Sequence, residues 1–123
     1  MKIQQSAENY LETIYMLIKK HGSVRSIDIA NELGFSKPSV SVAMKNLREN
    51  GYIDVSGDGR IALLAPGEEI AENLYRRHTV LTDALVKLGV SKETATEDAC
   101  KIENILSEES FNAIKNHLEK FGI

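Results

Sequence analysis

The chain has 123 residues, 42% of them hydrophobic, and 15 Lys and Arg against 18 Asp and Glu give a net charge of −3. That length allows one domain, or a small domain with a helical extension, and the hydrophobic share is enough for a globular core. No apolar run is long enough to span a bilayer, the start lacks the apolar stretch of a signal peptide, and the one cysteine, Cys100, offers no disulfide framework. These features exclude a membrane partner and leave the reducing cytoplasm as the expected compartment.

In chain order, residues 6–20 predict a helix with Ala7, Tyr10, Leu11, Ile14, Leu17 and Ile18 on one broad face, ended by Gly22. Residues 26–47, SIDIANELGFSKPSVSVAMKNL, read as two short helices around Leu33-Gly34-Phe35-Ser36, the pattern of a helix-turn-helix. On the first of these, Ile27, Ala30 and Leu33 recur at a three-residue step, with Ile29 close by. Ser36 suits the N-cap of the second, and Pro38 falls in its first turn, where a missing N–H leaves no bond unmade. Val40, Met44 and Leu47 at i, i+4, i+7 form its buried side. The other side carries Pro38, Ser39, Ser41, Val42, Lys45 and Asn46, with Ser36 and Lys37 at its start. Short polar groups, a weakly apolar Val and two cations are what a major groove accepts at base edges and phosphates. Double-stranded DNA is the expected partner.

After Asn50-Gly51, two strand-like runs, Tyr52–Val55 and Arg60–Leu63, flank Ser56-Gly57-Asp58-Gly59, a hairpin signal. A hairpin directly after a recognition helix is a wing. Arg60 on it, and Arg25 just ahead of the helix-turn-helix, complete the candidate DNA contacts. Residues 1–62 hold eight cations and seven acids (+1), and residues 63–123 hold seven and eleven (−4). So little positive charge predicts a site-specific dimer and not a general DNA coat. It also keeps open a winged helix that binds protein.

Pro66-Gly67-Glu68-Glu69 opens a long helix, with acids where the macrodipole favours them. Ile70, Leu74, His78, Leu81, Leu85 and Leu88 run along it as a narrow stripe, closer to a helix–helix seam than to the lid of a small core. Gly89-Val90-Ser91 leads to a helix predicted over Lys92–Leu106, and a last one over about Glu108–Phe121 offers Phe111, Ile114, Leu118 and Phe121. These faces exceed what a winged helix needs for itself and predict a homodimer, whose twofold symmetry matches a palindromic operator. The expected fold is mainly α: a winged helix-turn-helix with a small β-hairpin wing over residues 1–65, and a helical dimerisation domain over 66–123. No nucleophile–base pair and no phosphate-binding glycine loop is present, so an enzyme is not expected.

Four stretches, AENYLETIYML (7–17), SKPSVS (36–41), LLAPGEEIAENLYRRHTVL (63–81) and EDACKIENILSEE (97–109), resemble the iron-dependent repressor family, the DtxR/MntR type of metal-responsive transcription regulators. The resemblance implies a winged helix followed by a dimerisation domain that also builds metal sites, in a short form without the family's SH3-like domain. It implies a dimer activated by a divalent metal on a palindromic operator, repressing metal-uptake genes. Its ligand positions fall on Asn9, Glu12, His78, Cys100, Glu103 and Asn104. Glu12, His78, Cys100 and Glu103 can ligate as they stand, whereas Asn9 and Asn104 put weak neutral amides where the family has stronger ligands. The family's second site also uses positions that are Thr82 and Thr96 here, so that site is expected to be lost. Thiolate, imidazole and two carboxylates suit Zn²⁺, Fe²⁺ or Co²⁺ better than Mn²⁺. His78 as an ordinary core histidine and Cys100 as a small hydrophobe stay open, and with them a metal-independent regulator on the same scaffold.

Overall fold

Six helices and one hairpin make up residues 5–122, the part of the chain that the computed structural model describes. They are α1 (Gln5–His21), α2 (Ser26–Leu33), α3 (Lys37–Glu49), β1 (Ile53–Val55), β2 (Ile61–Leu63), α4 (Ala65–Lys87), α5 (Lys92–Ile102) and α6 (Glu108–Phe121). The fold is mainly helical with a two-stranded antiparallel sheet, as expected. By compactness the chain divides between Asn73 and Leu74, inside α4.

The first unit is a winged helix. Its core joins Leu11, Ile14 and Leu17 of α1 to Val40, Met44 and Leu47 of α3, with Ile53, Ile61 and Ala71 closing over them. On α2 the buried residues are Ile29 and Ala30, while Ile27 is 39% exposed. The expected Ile27–Ala30–Leu33 face is therefore rotated: a three-residue step drifts around a 3.6-residue helix, and the core takes Ile29 in place of Ile27. Gly34 ends α2 in the left-handed region (φ 70°), and the Phe35 N–H bonds back to the Ala30 carbonyl at 3.1 Å. Ser36 caps α3 by accepting from the Ser39 N–H at 3.3 Å, and Pro38 lies in the first turn. Cross-strand pairs Ile53–Leu63 and Val55–Ile61 fix the hairpin register, and the Ile61 N–H bonds the Val24 carbonyl at 2.9 Å, tying the wing to the segment before α2.

The second unit holds the rest of α4, α5 and α6 around Leu74, Leu81, Ala95, Ala99, Phe111 and Leu118. Ser91 and Ser107 cap α5 and α6. The helix expected to reach Leu106 stops at Ile102, and residues 103–106 form a turn. Of the apolar positions assigned to a partner, Leu88 is 72% and Phe121 59% exposed.

Gly67 marks the tightest approach in the first unit. A Cβ there would collide with the Tyr52 carbonyl oxygen and lie 3.1 Å from its carbon and 3.3 Å from Leu11 Cδ2. That carbonyl cannot retreat cheaply, since it accepts the Leu64 N–H at 3.0 Å. Gly67→Ala should lower stability by about 1–3 kcal/mol, the usual cost of overpacking. Urea unfolding checks this: the midpoint falls with little change in slope, and an unchanged midpoint would contradict the close packing.

Candidate nucleic-acid interface and metal centre

The candidate DNA face is built by α3 and the wing. Val40, Met44 and Leu47 face the core, so Lys37, Pro38, Ser39, Ser41, Val42, Lys45 and Asn46 are exposed, with Val42 at 60%. The Ser36 and Ser39 hydroxyls lie 2.9 Å apart at the start of α3, so both help to order its first turn.

The wing is less simple than its sequence suggests. Asp58 Oδ1 accepts from the Ser56 hydroxyl and from the Arg60 N–H (3.3 Å), which closes the turn. Its other oxygen lies 3.2 Å from Arg60 Nε and 4.0 Å from an Arg25 guanidinium nitrogen, and the Asp58 carbonyl accepts from Arg25 Nε at 3.1 Å. Both arginines expected at phosphates thus converge on one exposed carboxylate. Arg25 also occupies the N-cap of α2, where its N–H donates to the Asp28 carboxylate at 2.9 Å. Asp58 was not singled out from sequence, because an acid in a Gly-rich turn reads first as a turn former.

The metal candidates divide between the units. Asn9 and Glu12 lie on α1, Asn9 half-buried and Glu12 6% exposed. His78, Cys100 and Glu103 come together in the second unit, their ligand atoms within 4.8 Å of one another. Nδ1 of His78 is the shared point, 3.1 Å from Glu103 Oε2 and 3.6 Å from Cys100 Sγ. Metal–ligand bonds of roughly 2.0–2.3 Å in tetrahedral array require ligand separations of roughly 3–4 Å. Both distances at His78 Nδ1 fall in that range, while the set as a whole spreads to 4.8 Å and would have to draw together around a small divalent ion. Glu103 is 1% exposed, and Cys100 lies at the surface. Next in sequence, Asn104 has both amide atoms buried with no hydrogen-bond partner among the described residues. Thr82 Oγ1 is in the same position, and Thr96 donates to the Lys92 carbonyl at 2.8 Å. The Asn104 amide oxygen and the Thr82 hydroxyl are thus acceptors still open in the second unit, whereas the Asn104 amide nitrogen is an open donor.

Adjacent to His78, Arg77 is 7% exposed. It donates to the carbonyls of Glu103 (3.0 Å) and Leu106 (2.6 Å) and pairs with Glu108 at 2.9 Å. Nothing in its local sequence distinguishes it from its neighbour Arg76, since its partners lie more than two dozen residues away.

Residues 2–61 match the iron-dependent repressor N-terminal DNA-binding domain, and residues 65–122 match the iron-dependent repressor metal-binding and dimerisation domain. The chain belongs to the iron-dependent repressor family. It is 36% identical over 115 residues to the transcriptional regulator MntR of Escherichia coli O6:H1, covering 94% of this chain and 74% of that one. An HTH-type transcriptional regulator of Methanocaldococcus jannaschii is 34% identical over 121 residues, covering 97% of both chains. Among solved structures, a manganese-dependent transcriptional repressor in complex with manganese superposes with a TM-score of 0.83 at 26% identity, over 92% of this chain and 52% of that one. The chain thus spans about half the length of that repressor. The family is one of transcription regulators, not enzymes. Among the described residues no helix is long and apolar enough to cross a membrane.

The wing geometry carries a pH dependence. Asp58 is held below the usual carboxylate range, first by the Ser56 hydroxyl, then by the Arg60 N–H and the charges of Arg60 and Arg25, against a smaller opposing effect of desolvation. A depressed carboxyl stabilises the wing above the usual carboxylate range and loses that contribution as pH falls through its lowered value. Carboxyl ¹³C NMR, assigned with Asp58→Asn, should find Asp58 titrating below the ordinary range. Titration within that range would mean the turn is not closed in solution.

Proposed function

We propose that this chain is a homodimeric transcriptional regulator that binds a palindromic DNA operator and responds to a divalent metal, repressing metal-uptake genes in the cytoplasm. The observation that carries the metal part is the His78–Cys100–Glu103 cluster, inside the segment that matches a metal-binding and dimerisation domain. His78 Nδ1, Cys100 Sγ and a Glu103 oxygen would hold the ion, with the Asn104 amide as a weak neighbour. Glu12 and Asn9 enter only through the family resemblance. A bound ion supplies a cross-link and positive charge among α4, α5 and the turn after it. Thiolate in the set favours Zn²⁺, Fe²⁺ or Co²⁺ over Mn²⁺. Regulation is then a population shift, bounded by how differently the DNA-competent and incompetent states bind metal.

For DNA, the reading assigns base contacts to Ser39, Ser41, Val42 and Asn46, and phosphate contacts to Arg25, Ser36, Lys37, Lys45 and Arg60, with Pro38 packing at the groove. On a duplex selected from a random pool, Lys45→Ala should weaken binding and reduce the log–log salt slope by roughly 0.9, the share of one neutralised phosphate, whereas Val42→Ala should change base preference more than affinity. Parent-like binding by both variants would move the interface elsewhere.

The metal part is checked by operator titration with Zn²⁺, Co²⁺ and Mn²⁺ against a chelator control. Affinity should rise with metal; Cys100→Ser should shift preference from Zn²⁺ toward Mn²⁺, and His78→Ala should abolish the response. Equal affinity with chelator and with every metal would favour the second reading, a metal-independent regulator, which the neutral amides at positions 9 and 104 support.

A further inference from the structure

We propose that Arg77 is the positioning residue of the metal centre, holding Glu103 by its backbone so that its carboxylate stays beside His78 and Cys100. The inference rests on the reading that the His78–Cys100–Glu103 cluster binds a divalent ion. Glu103 stands at the C-cap of α5, and carbonyls in the last turn of a helix have no intrahelical partner and fray readily. A ligand there needs an outside anchor. Arg77 Nη1 takes the Glu103 carbonyl at 3.0 Å and the Leu106 carbonyl at 2.6 Å, pinning both ends of the 103–106 turn from one nitrogen. Nη2 reaches Glu108 at 2.9 Å, and the guanidinium lies 5.0 Å from the Phe111 ring centre, which fixes its plane. Adjacent residues of α4 thus meet the same glutamate: Arg77 holds its carbonyl, and His78 lies 3.1 Å from its carboxylate.

The guanidinium's fixed fork suits this task. A lysine ammonium is a single point on a flexible stem and cannot serve two carbonyls and a carboxylate in one plane. Groups that orient metal ligands from behind typically set affinity by roughly 10–100-fold. The rival account is that Arg77 only docks α6, through Glu108 and Phe111. The two differ in what the exposed Glu108 should do, because the carbonyl bonds survive its loss.

The test uses the full chain and Co²⁺ alone, followed by the d–d bands and the thiolate-to-cobalt charge-transfer band from Cys100. Arg77→Lys should lose roughly 10–100-fold in Co²⁺ affinity and alter the charge-transfer band, with its helical circular dichroism retained. Glu108→Gln should bind like the parent. Arg77→Gln, which buries no charge, replaces the lysine variant if that one unfolds. Parent-like affinity and spectrum in the Arg77 variants, or an equal loss in Glu108→Gln, would overturn the proposal while leaving the metal reading intact. A parent without a charge-transfer band would overturn both.

Discussion

Burying a guanidinium is the constraint on which the second unit depends. Removing such a charge from water costs several kcal/mol unless hydrogen bonds and an opposite charge replace the solvent. Arg77 meets most of that demand through both Nη groups, on two peptide carbonyls and the Glu108 carboxylate, with the Phe111 ring nearby, while its Nε stays buried without a partner among the described residues. The consequences follow along the chain. The carbonyls of Glu103 and Leu106 must point at Arg77, which they cannot do in an uninterrupted helix, so α5 stops at Ile102 and Ser107 starts a new helix. The turn thus made leaves Glu103 buried against His78, with Cys100 one helical turn back and 3.6 Å from the same nitrogen. The His78–Cys100–Glu103 cluster is a by-product of where a buried cation finds its acceptors.

The wing works by the opposite physics. Its charges are exposed, and an exposed pair adds little stability. What Asp58 changes is the charge the wing presents. With Arg25 and Arg60 both turned toward one carboxylate, the two cations offer a field closer to one positive charge than to two, and Arg25 is held besides by a bond that does not depend on ionisation, from its Nε to the Asp58 carbonyl. That arrangement orders the arginines before any partner arrives, and ordering long side chains in advance removes part of the entropic cost of binding.

How much of this was legible in the sequence depends on the range of the interaction. The helix-turn-helix was, because local chemistry decides it: Ser36 caps, Pro38 starts, and Val40, Met44 and Leu47 mark a 3.6-residue face. The wing was, because a Gly/Asp turn between two short apolar runs allows few alternatives. The burial of α2 was only half legible, since Ile27 and Ile29 are equally apolar and the rest of the core chooses between them. The end of α5 was not, because IENIL continues a helical pattern and the residue that stops it lies on α4. Cys100 and Glu103 announce themselves as an i, i+3 pair, but His78 in an apolar stripe has no local mark of a ligand. Asp58 and Arg77 were missed for one shared reason: the role of each is set by partners in other elements.

The charge balance bears on how such a molecule can read DNA at all. Residues 1–62 carry a net charge of only +1, with Asp58 among the seven acids that offset their eight cations. Counterion release scales with the number of phosphates neutralised, so one subunit gains little of the sequence-independent attraction that dominates most non-specific binding. Two subunits on one duplex double that number, and the affinity depends on it exponentially. A weakly charged reader is therefore nearly silent as a monomer and gains a usable affinity only when dimerisation places both α3 faces on DNA together. The contrast between specific and non-specific sites then comes from fit at base edges, because there is little background attraction to dilute it. On the proposed reading, a metal held within the segment that matches the dimerisation domain would put control at the step to which such a reader is most sensitive.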